Sequence, residues 1–221
     1  MNTKKMPEKV QLNWHHSGGE SLGRSFANLH IKSNSLEKSI EGLRELIERD
    51  PELLGLSANQ DQMDSDVTQS RSVHESELVL YISSNEKWIS VLHDYFVWGT
   101  VKRIGKSLSL LIGEPVITVG FMHDELFELS IFKDGEIQAE RIFCEDWTRS
   151  EYGLQEELLH DDNMREALDI RQEDMDELAT ITSPAQAVDK LSELVSLPLW
   201  SDWEWIPHEE ELNIQFAKYE L

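Results

Sequence analysis

Between residues 88 and 143 short β-branched and aromatic runs flank a single helical repeat. The order strand, helix, strand, strand, strand limits what this chain can fold into. Val97, Val101, Ile104, Leu108 and Leu111 recur every three or four residues and predict one apolar helix face, with Lys102, Arg103 and Lys106 on the solvated side. Gly113 followed by Pro115 ends that helix, because glycine accepts a left-handed cap and proline cannot continue the ladder. The apolar runs on either side are too short for helices and rich in Val, Ile and Phe, as strands are. Two strands joined through a helix are normally parallel, with a right-handed crossover. Lys133-Asp134-Gly135 between two further runs predicts a hairpin, since Asp-Gly supplies the positive φ of a tight turn. The expected architecture is α+β: a single mixed sheet, edged by this hairpin, with helices mainly on one face.

Upstream, residues 1–25 are polar and predict a flexible terminus, leaving residues 26–221 as a single domain. Phe26 to Ile31 reads as a first strand. Asn34 and Glu37 have capping-box spacing before a helix whose apolar side is Leu36, Ile40, Leu43 and Ile47, ending near Asp50-Pro51. Residues 57–77 are Asn, Gln, Asp and Ser with little apolar punctuation, which predicts a mobile insertion. A strand near Leu78 to Ile82 then turns through residues 83–86 into the run led by Trp88. After Phe143 the chain becomes acidic, with short helical patterns around Leu154, Leu158 and Leu159 and again from Met164 to Leu178. Ser183-Pro184 opens a helix, serine as cap and proline at its first position. The last eight residues, from Ile214, suit a closing strand.

Residues 78–143 resemble an uncharacterised bacterial family. The resemblance rests on the Trp88-Ile-Ser-Val91 strand, on Phe121-Met-His123-Asp124-Glu125-Leu126, and on Ile131-Phe-Lys-Asp-Gly135-Glu136. Members of that family usually carry Ser-Asp where this chain has only Glu125, so its turn is shorter. The resemblance implies the same strand–helix–hairpin core and carries no activity.

The formal net charge is −23, and residues 145–221 alone hold 21 acids against 5 bases, a net −16. That balance opposes nucleic-acid and anionic-membrane binding, which need a basic surface. It suits attraction to a basic protein partner, or a solvated acidic surface with none. The single cysteine, Cys144, excludes an intrachain disulfide and a cysteine-cluster zinc site. No apolar leader follows Met1 and no 18-residue apolar run occurs, so a soluble cytoplasmic protein is expected.

Chemistry has one sharp candidate. His93-Asp94 and His123-Asp124 each close a strand. If those strands are parallel neighbours, two imidazoles and two carboxylates meet at the edge where open α/β sheets bind ligands. There they can hold a divalent metal or act as acid and base. The competing reading makes Asp94 a helix cap and Asp124 a turn former. Cys144 precedes Glu145 and Asp146, whose charges oppose a reactive thiolate. No phosphate-loop spacing occurs, and no cofactor is expected. Trp200, Trp203 and Trp205, interleaved with Asp202 and Glu204, make either a partner-binding patch or a cover for the end of the sheet. The favoured expectation is a non-enzymatic acidic binding protein for a basic partner, for instance an immunity-like inhibitor. The competing class is a small metal-dependent or hydrolytic enzyme on the His-Asp edges.

Overall fold

The computed structural model describes residues 23–54, 78–154, 157 and 160–221. The expected insertion at 57–77, residues 1–22 of the N-terminal segment, and Leu158 and Leu159 lie outside them. Seven strands form one sheet: β1 (Phe26–Ile31), β2 (Val79–Ser84), β3 (Ile89–Leu92), β4 (Val116–Met122), β5 (Leu126–Lys133), β6 (Glu136–Cys144) and β7 (Ala217–Glu220). Their spatial order is β6-β5-β4-β1-β3-β2-β7. Helices α1 (Leu36–Arg49), α2 (Thr100–Ile112), α3 (Asp146–Glu151), α4 (Asp161–Leu168), α5 (Gln172–Ala179), α6 (Pro184–Val195) and α7 (Glu210–Gln215) complete an α+β fold.

The expected crossover is present, but its neighbours are not. β3 and β4 run parallel, joined through α2, yet β1 lies between them and pairs antiparallel with both, Leu29 facing Val91 on one side and Thr118 on the other. Every adjacent pair is therefore antiparallel, and the sheet is not mixed. Insertion of the first strand into the middle cannot be read from local spacing. The 134–135 hairpin does form the β6 edge, with Asp134 at φ 52° and Gly135 at φ 77° as its two positive-φ residues. The closing strand is shorter than expected, because residues 210–215 are helical, and it pairs with β2 at the opposite edge.

The helices also cover both faces rather than mainly one. Residues of one parity along the central strands, such as Leu29, Ile31, Val91 and Val116, pack with Leu43 and Leu46 of α1 and with Ile104 and Leu108 of α2. The other parity, Phe26, Ile117, Val119, Phe121, Leu129 and Ile131, packs with Met164 and Leu168 of α4, Met175 and Leu178 of α5, and Val188 and Leu191 of α6. All six residues of β1 are buried, so neither face of that strand can be left to water. The acidic C-terminal part thus supplies one whole layer of the fold.

Three local expectations shift. Ser35, not Asn34, caps α1, accepting the Lys38 N–H at 3.3 Å. Val97 precedes α2 and is exposed, so the buried side of that helix starts at Val101. Lys102 is half-buried and lies between Glu128, at 3.0 Å, and Glu140. Burial lowers the Lys102 pKa, and the hydrogen bond that its ammonium donates to Glu140, with the charge of Glu128, overcomes that to raise it.

Candidate functional site

β3, β4 and β6 run in one direction and β1 in the other. One rim of the sheet therefore gathers residues 93–99 after β3, the 123–125 turn after β4, residues 144–153 after β6, and residues 23–25 before β1. Both His-Asp pairs lie on this rim, but they do not meet. With β1 between their strands they are about 10 Å apart across the sheet, and His123 lies about 10 Å further along it. An ion bonded at about 2 Å to both imidazoles has no place in that arrangement. No group of three or more His, Cys, Asp or Glu side chains suited to a metal occurs among the described residues.

Three of the four residues have a structural task, but Asp94 is not the expected helix cap, since Gly99 holds the N-cap position of α2. His93 is buried, and its Nδ1 accepts the Tyr95 backbone N–H at 3.0 Å. Burial lowers its pKa, against the opposing charge of Asp94, whose carboxylate lies 3.0 Å from the same nitrogen. The ring is therefore neutral near pH 7, and that contact is not an ion pair there. His123 and Asp124 are the central residues of a turn, with φ of 55° and 58° and the Glu125 N–H bonded to Met122 O at 3.0 Å. Asp124 then clamps the turn to the start of β1, accepting the Arg24 backbone N–H at 2.9 Å and its Nε at 2.8 Å. Gly23 lies so close to this turn that a Cβ there would fall 2.3 Å from the His123 carbonyl oxygen.

The tryptophan cluster is largely packed. Trp200 lies 5.1 Å from the Phe121 ring and 5.4 Å from Phe26, with the Arg24 guanidinium 4.4 Å above it, and its indole N–H donates to Asp189 at 2.8 Å. Trp203 and Trp205 pack beside Ile206, Leu212 and Phe216. Asp202 is buried and accepts the Glu204 N–H at 2.8 Å, whereas Glu204 is exposed. Burial pushes the Asp202 carboxyl up to about 6. Cys144 is buried, and its thiol is raised chiefly by that burial.

Exposed apolar surface concentrates elsewhere. Tyr95, Val97, Trp98, Trp147 and Tyr152, five of the seven exposed large hydrophobics among the described residues, all lie on the rim that carries the His-Asp pairs. The 93–99 loop is held rather than loose: Phe96 is buried against His93, and the Thr100 hydroxyl bonds Tyr95 O at 2.8 Å and accepts the Val97 N–H at 3.1 Å. Trp98 lies on β4 at Gly120, where a Cβ would approach its Cδ1 to 2.7 Å. On the other side, Arg149 anchors α3 through an ion pair with Glu157, which itself accepts the Ile142 N–H at 2.9 Å. Thr148 faces inward, and Trp147 faces out.

These residues were missed at the level of sequence because Val97 fits the helical repeat that follows, while residues 145–153 show no periodic apolar pattern, although 146–151 form α3. The available signal was the run Tyr95-Phe96-Val97-Trp98-Gly99, which begins two residues beyond a strand and is too apolar for an ordinary connection. The rim segments also hold Asp94, Asp124, Glu125, Glu145, Asp146 and Glu151 against two arginines, both ion-paired. No helix among the described residues is long and apolar enough to cross a membrane. Comparison of the chain with protein-family models, with curated proteins and with solved structures finds no match.

Proposed function

We propose that this protein binds a basic protein partner through the rim formed by residues 93–99, 123–125 and 144–153. The observation that carries the reading is the coincidence there of five exposed large hydrophobics with six carboxylates on loops and a short helix fixed by buried anchors. Aromatic side chains supply most of the energy of a protein interface, and surrounding charge sets the rate of encounter and the choice of partner. Loops already held in place lose little conformational freedom on docking. A concrete form of this activity is an immunity-like inhibitor that covers the positive site of a basic domain. The tryptophan cluster at 200–205 contributes less on this reading, since its rings pack inward and Asp202 is buried. An enzymatic use of His93, Asp94, His123 and Asp124 has no observation in its favour, because the two imidazoles stand apart and His93 Nδ1 is already engaged.

The test begins with affinity capture from the native host, followed by binding kinetics with the purified partner over a salt series. The expected partner is basic, and its association slows as salt screens the charges. Trp98→Ala should raise the dissociation rate, and Asp94→Lys with Asp146→Lys should slow association. Trp203→Ala and Glu204→Lys should do less. A partner that is not basic, or binding indifferent to the rim variants, would overturn the proposal.

A further inference from the structure

Resting on that reading, we infer that the cleft between the 123–125 turn and α3 is a receptor for one guanidinium group, an arginine side chain of the basic partner. The cleft has a volume of about 510 Å³ and is lined by His123, Asp124, Glu125, Trp147, Glu151 and Tyr152, with Gly23 at its margin. Trp147 and Glu151 stand four residues apart on α3, so an aromatic face and a carboxylate project from the same side of the helix. Tyr152 follows directly, and its hydroxyl donates to Glu125 Oε2 at 3.2 Å, which ties the carboxylate of the turn to the aromatic wall.

Charge within the cleft is unevenly compensated. Asp124 is already paired with Arg24. Glu125 and Glu151 have no ion-pair partner among the described residues, so two negative charges face the cleft. Trp147 is 53% and Tyr152 38% exposed, although both belong to a helix end fixed by Arg149 and by inward-facing Thr148. Aromatic rings left in water beside unpaired carboxylates match a cation that is flat, weakly hydrated and able to donate several hydrogen bonds in one plane. Guanidinium meets each requirement: its face stacks on the indole or phenol while its edge donates to a carboxylate in bidentate fashion. A compact ammonium uses the charge but not the stacking. A metal ion gains nothing from the two rings.

The experiment titrates the full chain with the peptide acetyl-Gly-Arg-Gly-amide, with its lysine counterpart and with its citrulline counterpart, which keeps the shape and loses the charge. Binding is followed by the indole N–H resonance of Trp147 and by tryptophan fluorescence. The arginine peptide should shift the Trp147 resonance saturably at millimolar concentration, with the citrulline peptide weaker by about tenfold or more and the lysine peptide between them. Trp147→Ala, and Glu125→Gln with Glu151→Gln, should each abolish the preference for arginine over citrulline. Trp203→Ala should leave it intact. Equal binding of arginine and citrulline peptides, no shift at Trp147, or an arginine preference that survives loss of both carboxylates would overturn the inference. If the purified partner still depends on Trp98 and Asp94 while the arginine peptide fails to bind, the cleft is wrong and the rim stands. If the peptide binds as described but no basic partner engages the rim, the cleft stands and the wider function is wrong.

Discussion

Replacing His30 with Gln should remove a pH-dependent part of the stability that the structure locates in one buried network. Asn28, His30 and Ser90 share the face of β1 and β3 that the C-terminal layer covers, and none is more than 2% exposed. The Asn28 amide donates to Leu199 O at 2.9 Å and to Ser201 O at 3.0 Å, which leaves its Oδ1 to accept from His30 Nε2 at 2.8 Å. His30 Nδ1 is then the acceptor for the Ser90 hydroxyl, also at 2.8 Å. Every ring nitrogen is satisfied with the imidazole neutral, and burial lowers its pKa from 6.5 to about 3. Between those values the unfolded chain binds a proton that the folded chain does not. The stabilisation is therefore fully present above pH 6.5 and is lost as pH falls toward 3. For this shift the loss at pH 4.5 is about 2–3 kcal/mol.

Asp202 acts in the opposite sense. Its carboxyl, pushed up to about 6, takes a proton in the folded state first, which returns about 2 kcal/mol by pH 4.5. The acid limb of the wild type alone is consequently shallow, and the informative quantity is the difference between wild type and His30→Gln. Glutamine can satisfy Asn28 or Ser90 but not both, so the variant should be less stable by about 1–3 kcal/mol at pH 8. That gap should narrow by about 2–3 kcal/mol at pH 4.5, because the variant has no proton to gain on unfolding. Urea unfolding followed by tryptophan fluorescence at pH 8, 6, 5 and 4.5 measures it. A gap constant to within about 0.5 kcal/mol over that range would refute the assignment of a neutral, proton-refusing His30.

Two further substitutions test other buried charges. Asp202→Asn keeps an oxygen to accept the Glu204 N–H and removes a buried charge, so it should stabilise the protein by about 1–3 kcal/mol at pH 8, with the gain vanishing below pH 4; destabilisation at pH 8 in urea melts would contradict this. Lys102→Met leaves Glu128 and Glu140 facing one another on the α2 side of the sheet and should cost about 3–5 kcal/mol at pH 7. The cost should shrink near pH 5 as one carboxylate takes up a proton, and a cost unchanged between those two pH values would place the carboxylates apart.

The strands, the central helix and the two hairpins were legible in the chain because their signals are local. Alternating Val, Ile and Phe between turn residues, a 3.6-residue repeat ended at Gly113, and Asp-Gly at 134–135 each act within a few residues of themselves. Burial of Leu92, Ile104, Leu108, Ile117, Val119, Leu129 and Ile131 followed from the same periodicity, though not its division between opposite faces of the sheet. Tertiary structure alone decided the rest, because it depends on contacts between residues far apart in the chain. Insertion of β1 between β3 and β4 separated His93 from His123 and gave each an ordinary structural task. The same strand order brought Trp98, Glu125, Trp147 and Tyr152 to one rim, although more than 50 residues separate the first from the last. Side-chain chemistry is written residue by residue, whereas a site is a set of directions and distances that only the assembled sheet supplies.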